Sequence, residues 1–268
     1  MMERPAERDS YFARTIEALS ASNLVEGIIQ LGSGVEGYRD ELSDIDLMVA
    51  ASREEDVEET KAYVQRVIRN FGAFYIKEKQ LGNDIFLIIA FLENRLEFNV
   101  SIVPRELLTV RSPLWKVVAD KTGRVTEKMA AEDQKFRSRT MKYGTGADLP
   151  FEFVYASLSF DKELKRNNPI YGLRMLEEMR ECTLIIQALN ENKKLHQFKA
   201  FGTMDAVFID RYLSAFPKGN KPGELREAAV KLRQLFVVTI EKSDVLSLEP
   251  ELKRLLHSEG GESKETII

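Results

Sequence analysis

Cysteine, histidine and long apolar runs are scarce in this chain. One cysteine, Cys182, occurs in 268 residues, so no disulfide can close within the chain and no cysteine cluster can hold zinc. A reducing, cytoplasmic setting is expected. Only two histidines are present, and without a ligand-spaced partner such as H-E-x-x-H they exclude a zincin-type centre. The longest apolar run, IFLIIAFL at residues 85–92, falls far short of the roughly 20 residues that cross a bilayer. The opening MMERPAERDSYFARTIEALS has no signal-peptide core, and a soluble protein is expected. An excess of positive charge is missing too: 39 Lys and Arg stand against 43 Asp and Glu, a net charge of −4. That balance disfavours a long polyanion as the main partner, because phosphate neutralisation supplies much of such affinity.

What is present is enough apolar residue, 44% of 268, for two domains. Phe12, Ile16 and Leu19 predict a helix over 9–22, followed by strands VEGIIQL at 25–31 and DIDLMVA at 44–50. A helical stripe through Val57, Val64, Val67 and Ile68 precedes FYIKEKQ, DIFLIIAFL and LEFNVSIVP, three strands separated by short turns. SPLWKVVADKTG at 112–123 reads as a short helix and an edge element, and KFRSRTMKYGTG at 135–146 as a basic linker. From Pro150 onward the periodicity is helical, and prolines 169, 217, 222 and 250 fall at the breaks. The expected fold is α/β (α+β): an α/β domain of about five strands at 1–145 and a helical bundle at 146–268, ending in a frayed tail.

The stretch GSGVEGYRDELSDIDL at 32–47 carries the chemistry. Side chains alternate along a strand, so Asp44 and Asp46 share one face while Ile45, Leu47 and Val49 anchor the other. Alternation in LEFNVSIVP puts Glu97, Asn99 and Ser101 on one face and Leu96, Phe98, Val100 and Ile102 on the other. If the two strands are neighbours, Glu97 completes a cluster of three acids. Unit charges near 4 Å repel by roughly 4 kcal/mol at an effective dielectric of 20, so such a cluster requires a raised pKa or a cation. Magnesium suits hard oxygen ligands and is commonly completed by substrate phosphates. Gly32 and Gly34 permit a tight turn, and Ser33 offers a hydroxyl beside backbone N–H groups that can receive phosphate. No Walker motif and no G-x-G-x-x-G is present here.

Gly32, Ser33, Gly37, Asp44 and Asp46 together resemble the signature of the polymerase-beta-like nucleotidyltransferase superfamily. The helical second half is similar to its antibiotic-modifying branch. FLENRLEFNVSIVPRE at 91–106 is similar to a lincosamide-modifying group in which Glu97 is the third acid. Aligned on Pro104 as in the aminoglycoside adenylyltransferases, Asn99 takes the acidic position instead. The resemblance implies a polymerase-beta-like domain with a mixed sheet and Mg²⁺-dependent transfer of a nucleoside monophosphate, most often AMP from ATP, to a small-molecule hydroxyl. On that reading Gly32, Ser33, Asp44 and Asp46 hold the nucleotide, and Asp44, Asp46 and Glu97 are catalytic and hold metal. The bundle would select the acceptor, a lincosamide or aminoglycoside antibiotic, in a monomer or homodimer. RNA or protein hydroxyls as acceptors, and a silent nucleotide-binding protein, remain the alternatives. Cys182, amid Met179, Leu184 and Ile185, reads as core, and His196 as a surface or inter-helix residue.

Overall fold

The apolar segments of the first half pair into a six-stranded sheet in the computed structural model, which describes residues 4–37, 43–139, 142–144, 146–194 and 201–257. The strands are β1 (Val25–Leu31), β2 (Ile45–Ala51), β3 (Ala73–Gly82), β4 (Ile85–Leu92), β5 (Glu97–Pro104) and β6 (Trp115–Asp120). Their spatial order is β3-β4-β5-β2-β1-β6. Neighbours run antiparallel except β2 and β5, which are parallel from Ile45 opposite Phe98 to Ala51 opposite Pro104. That one parallel pair sets the starts of β2 and β5 at the same edge as the end of β1.

Two helices cover one face of this sheet: α1 (Arg4–Ser20) and α2 (Val57–Arg69). Leu19, Val64 and Ile68 from the helices meet Ile28, Leu47, Val49, Ile88, Phe98, Val100 and Ile102 in one buried cluster. The alternation in the sequence selects this face. Helix α1 starts at Arg4, ahead of the expected Asp9, because Pro5 is tolerated in a first turn, where the missing N–H would be unsatisfied anyway. At the end of the sheet away from Asp46, Glu26 is buried and accepts both Arg105 Nη1, at 3.0 and 3.2 Å to its two oxygens, and Thr122 Oγ1 at 2.6 Å. The start of β1 is thereby tied to the end of β5 and the turn after β6.

The structure corrects two expectations. Of the short helix and edge element expected over 112–123, only the edge element forms: Trp115–Asp120 is a sixth strand at the sheet edge, since the free edge of β1 offers ladder hydrogen bonds to a segment rich in aromatic and β-branched residues. The supposed linker begins inside a helix, α3 (Arg124–Arg137), whose Val125, Met129 and Phe136 are buried. Its start is set by Asp120, which accepts the N–H groups of Thr122, Gly123 and Thr126.

The chain divides into two compact units, Met1–Arg139 and Thr140–Ile268. Among the described residues the regular elements of the second unit are helices: α4 (Leu149–Lys165), α5 (Pro169–Asn190), α6 (Ala206–Ser214), α7 (Pro222–Ile240) and α8 (Pro250–His257), the last of which the periodicity does not separate. Prolines 169, 222 and 250 all open helices. Asp148, Asn168 and Asp205 accept first-turn N–H groups as caps. Phe153 and Phe236 stack face to face, centroids 3.6 Å apart, inside a cluster with Phe160, Leu176, Met179 and Leu232. Phe236→Ala leaves a ring-sized cavity there. It is expected to cost about 3–5 kcal/mol, read as a lowered midpoint of urea denaturation followed by circular dichroism.

Candidate active site

β1 ends at Leu31 and passes into a short 3-10 turn, Gly32–Glu36. Gly32 has φ +66°, and a Cβ built on it would lie 2.6 Å from Asp46 Oδ2. Only glycine lets the chain bend there while the Asp46 carboxylate lies against the backbone. The Gly32 N–H extends the sheet ladder by donating to the Leu114 carbonyl at 3.2 Å. Gly32 therefore contributes shape, and any phosphate donor in this turn comes from another residue. Gly37 closes the turn in the left-handed conformation, φ +90°, with its N–H on the Gly34 and Ser33 carbonyls. Arg39 lies outside the described residues.

Asp46 sits opposite Asn99 in the parallel pair, and Ile45 opposite Phe98. Extending the register by one residue sets Asp44 opposite Glu97. Core residues Ile45, Leu47, Phe98 and Val100 are fully buried on the helix-covered face, whereas Asp44, Asp46, Glu97 and Asn99 are half-buried. By alternation Asp46, Glu97 and Asn99 share the opposite face. Both candidate third positions thus stand beside the aspartates: Asn99 level with Asp46, Glu97 one row along. Among the described residues no three Asp, Glu, His or Cys side chains converge so as to hold a metal ion together. Asp44 and Asp46 nevertheless fit Mg²⁺ as a two-carboxylate donor set. Both are half-buried carboxylates, hard oxygen donors of the kind Mg²⁺ takes while keeping water and phosphate oxygens in the rest of its shell.

From behind, the buried Arg8 of α1 donates Nη1 to the Ser43 carbonyl at 3.5 Å, fixing the residue before Asp44. Sequence alone suggests no role for Arg8. Nothing in the spacing of α1 links it to a residue 35 positions away.

Other candidates fall into structural roles. Lys135 bonds Glu132 at 2.7 Å and Arg137 bonds Asp133 at 2.6 Å, each within α3. Arg95 occupies a tight exposed turn with φ +64°. In the bundle Asp161 pairs with Arg233, and Glu163 with Arg166 and Asn168. His196 lies outside the described residues. Cys182 is buried, and burial with nearby Glu152, Glu181 and Glu178 pushes its thiol up to about 12.

No protein-family model matches the chain, and no curated protein does. Among solved structures it is similar to an aminoglycoside 6-adenyltransferase from Bacillus subtilis, at 13% identity and TM-score 0.41 over 95% of this chain and 96% of that one. It is also similar to terminal uridylyl transferase 4 from Trypanosoma brucei with bound UTP, at 14% identity and TM-score 0.30 over 88% of this chain and 66% of that one. Both TM-scores lie below 0.5, so the chemistry proposed for this chain rests on its own strands and side chains.

Two measurements check this geometry. Gly32→Ala is expected to destabilise by about 1–3 kcal/mol through the left-handed backbone and the Asp46 contact. Repeated in an Asp46→Ala background, the cost should fall to that of Gly37→Ala, whose added Cβ meets nothing within 4 Å. Cys182 should resist an aromatic disulfide reagent at pH 8 in the native protein and react at once in denaturant, because the thiolate is the nucleophile.

Proposed function

We propose that this protein is a nucleotidyltransferase that moves a nucleoside monophosphate, AMP from ATP, onto a hydroxyl of a small molecule and releases pyrophosphate. The observation that carries the proposal is Asp46 seated against Gly32, beside a parallel strand whose same face bears Glu97 and Asn99. Gly32 takes a left-handed φ of +66° and a Cβ there would lie 2.6 Å from Asp46 Oδ2, so the turn and the carboxylate fit each other only with glycine at this position.

In this reading Asp44 and Asp46 hold Mg²⁺ against the phosphates, with Ser33 beside them. The ion, when bound, supplies neutralisation of the charge that develops on the departing phosphates. The acceptor oxygen attacks the α-phosphorus in line, and a new phosphorus–oxygen bond forms as the bond to pyrophosphate breaks. The hydroxyl proton passes to the Glu97 carboxylate, and pyrophosphate carries away the displaced electron pair. Arg8, holding the Ser43 carbonyl, acts as a positioning residue for Asp44. A cytoplasmic setting is part of the same proposal. No helix among the described residues is long and apolar enough to cross a membrane.

Asp46→Asn is expected to lower pyrophosphate release from Mg·ATP plus acceptor by at least about 100-fold, the scale of losing a charge-stabilising group. Glu97→Gln should lower the rate by about 100-fold or more with Mg·ATP binding retained, as for loss of a general base. Undiminished turnover in Asp46→Asn would sink the assignment. Tight, metal-independent ATP binding in both variants would mark a silent nucleotide-binding protein instead.

A further inference from the structure

Strand β4 is apolar at every position, IFLIIAFL. A strand covered on one face alternates; one apolar on both faces is built for cover on both. Helices α1 and α2 cover the face carrying Phe86, Ile88 and Ala90, all buried. The other face carries Leu87, Ile89 and Phe91, which are half-buried.

The sheet register lays this face out in rows leading to the candidate active site. One row runs Lys77, Ile89, Asn99, Asp46; the next runs Tyr75, Phe91, Glu97. A third runs Lys79, Leu87, Ser101, Met48. The Tyr75 and Phe91 rings lie 6.3 Å apart, and Tyr75 is 51% exposed. Charge on β3 is segregated by alternation. Glu78 faces the helices and accepts Lys61 Nζ at 2.8 Å and Gln65 Nε2 at 2.9 Å, whereas Lys77 and Lys79 lie exposed on the open face with no ion pair among the described residues. Lysines on an edge strand guard against strand addition, but that purpose leaves the apolar second face of β4 unaccounted for.

We propose that this open hairpin face seats the acceptor, and that the acceptor is a compact molecule with an apolar, ring-bearing body and an anionic group. The proposal rests on the nucleotidyltransferase reading of Asp44, Asp46 and Glu97. Strands lie about 4.8 Å apart, so Lys77, three strands from Asp46, is about 14 Å away along its row. A molecule of that length places its hydroxyl at the carboxylates, its body over Ile89 and Phe91, and its anion at Lys77 and Lys79. Two lysines give too little phosphate neutralisation to hold a long nucleic acid, and they repel a polycationic amino-sugar.

The test uses the full chain and a matched pair of fluorescent probes, anionic 8-anilinonaphthalene-1-sulfonate and neutral N-phenyl-1-naphthylamine, with Mg·ATP binding followed separately by calorimetry. The sulfonate is expected to bind at least tenfold more tightly than the neutral probe. Lys77→Glu with Lys79→Glu should weaken the sulfonate at least tenfold while leaving the neutral probe and Mg·ATP within twofold. Lys77→Met with Lys79→Met, which keeps length and removes charge, should lose the same preference. Equal binding of the two probes, or a preference that survives both double variants, overturns the proposal. So does displacement of the sulfonate by kanamycin or a 15-mer oligoadenylate at tenfold lower concentration than by naphthalene-1-sulfonate. Absence of Mg·ATP binding in the unmutated protein would instead remove the nucleotidyltransferase reading, whatever the probes show.

Discussion

The approach of the Asp46 carboxylate to Gly32 is the contact on which this end of the sheet depends. Oδ2 would stand 2.6 Å from a Cβ at position 32, so the turn after β1 and the acid on β2 are adjusted to each other. The turn must bend with positive φ, its first N–H must complete the ladder to Leu114, and the carboxylate must lie on the face away from the helices. Together these requirements restrict position 32 to a residue without a side chain.

Acids stand near both ends of β1, in different settings. Glu26 has Arg105 and Thr122 to answer its charge, and it serves as a structural clasp between strand ends. At the other end Asp44, Asp46 and Glu97 are half-buried at the neighbouring starts of β2 and β5. The single parallel pairing of β2 with β5 creates this difference, because it places two acid-bearing strand starts side by side.

The sheet is also divided by face. Helices α1 and α2 bury the apolar alternation of β1, β2, β4 and β5 on one side. The opposite side carries the acids at its centre and, toward β3, a half-buried apolar strip flanked by lysines. The alternation that secures the core therefore puts Asp46, Glu97 and Asn99 on the remaining face.

Much of this was legible in the chain itself. Strand β1 lies where alternation put it, β2 and β5 within a residue, and the Gly-Ser turn with its two aspartates was recognisable from local order and spacing. The inert Cys182 was legible from its apolar neighbours. Over 112–123 the edge element was legible and the helix was misplaced, because Trp115–Asp120 is fixed by the open edge of β1, and pairing partners 84 to 93 positions away leave no local trace. Helix α3 was hidden by the basic residues of its last turn, which obscured the stripe of Val125, Met129 and Phe136. Arg8 behind Ser43 was equally hidden. Local sequence thus determined the glycine turn and the strand starts that bear Asp44, Asp46 and Glu97, because turn and strand preferences act over a few neighbours. Strand order decided which of those residues stand together, because hydrogen-bonded ladders join segments that the chain keeps far apart.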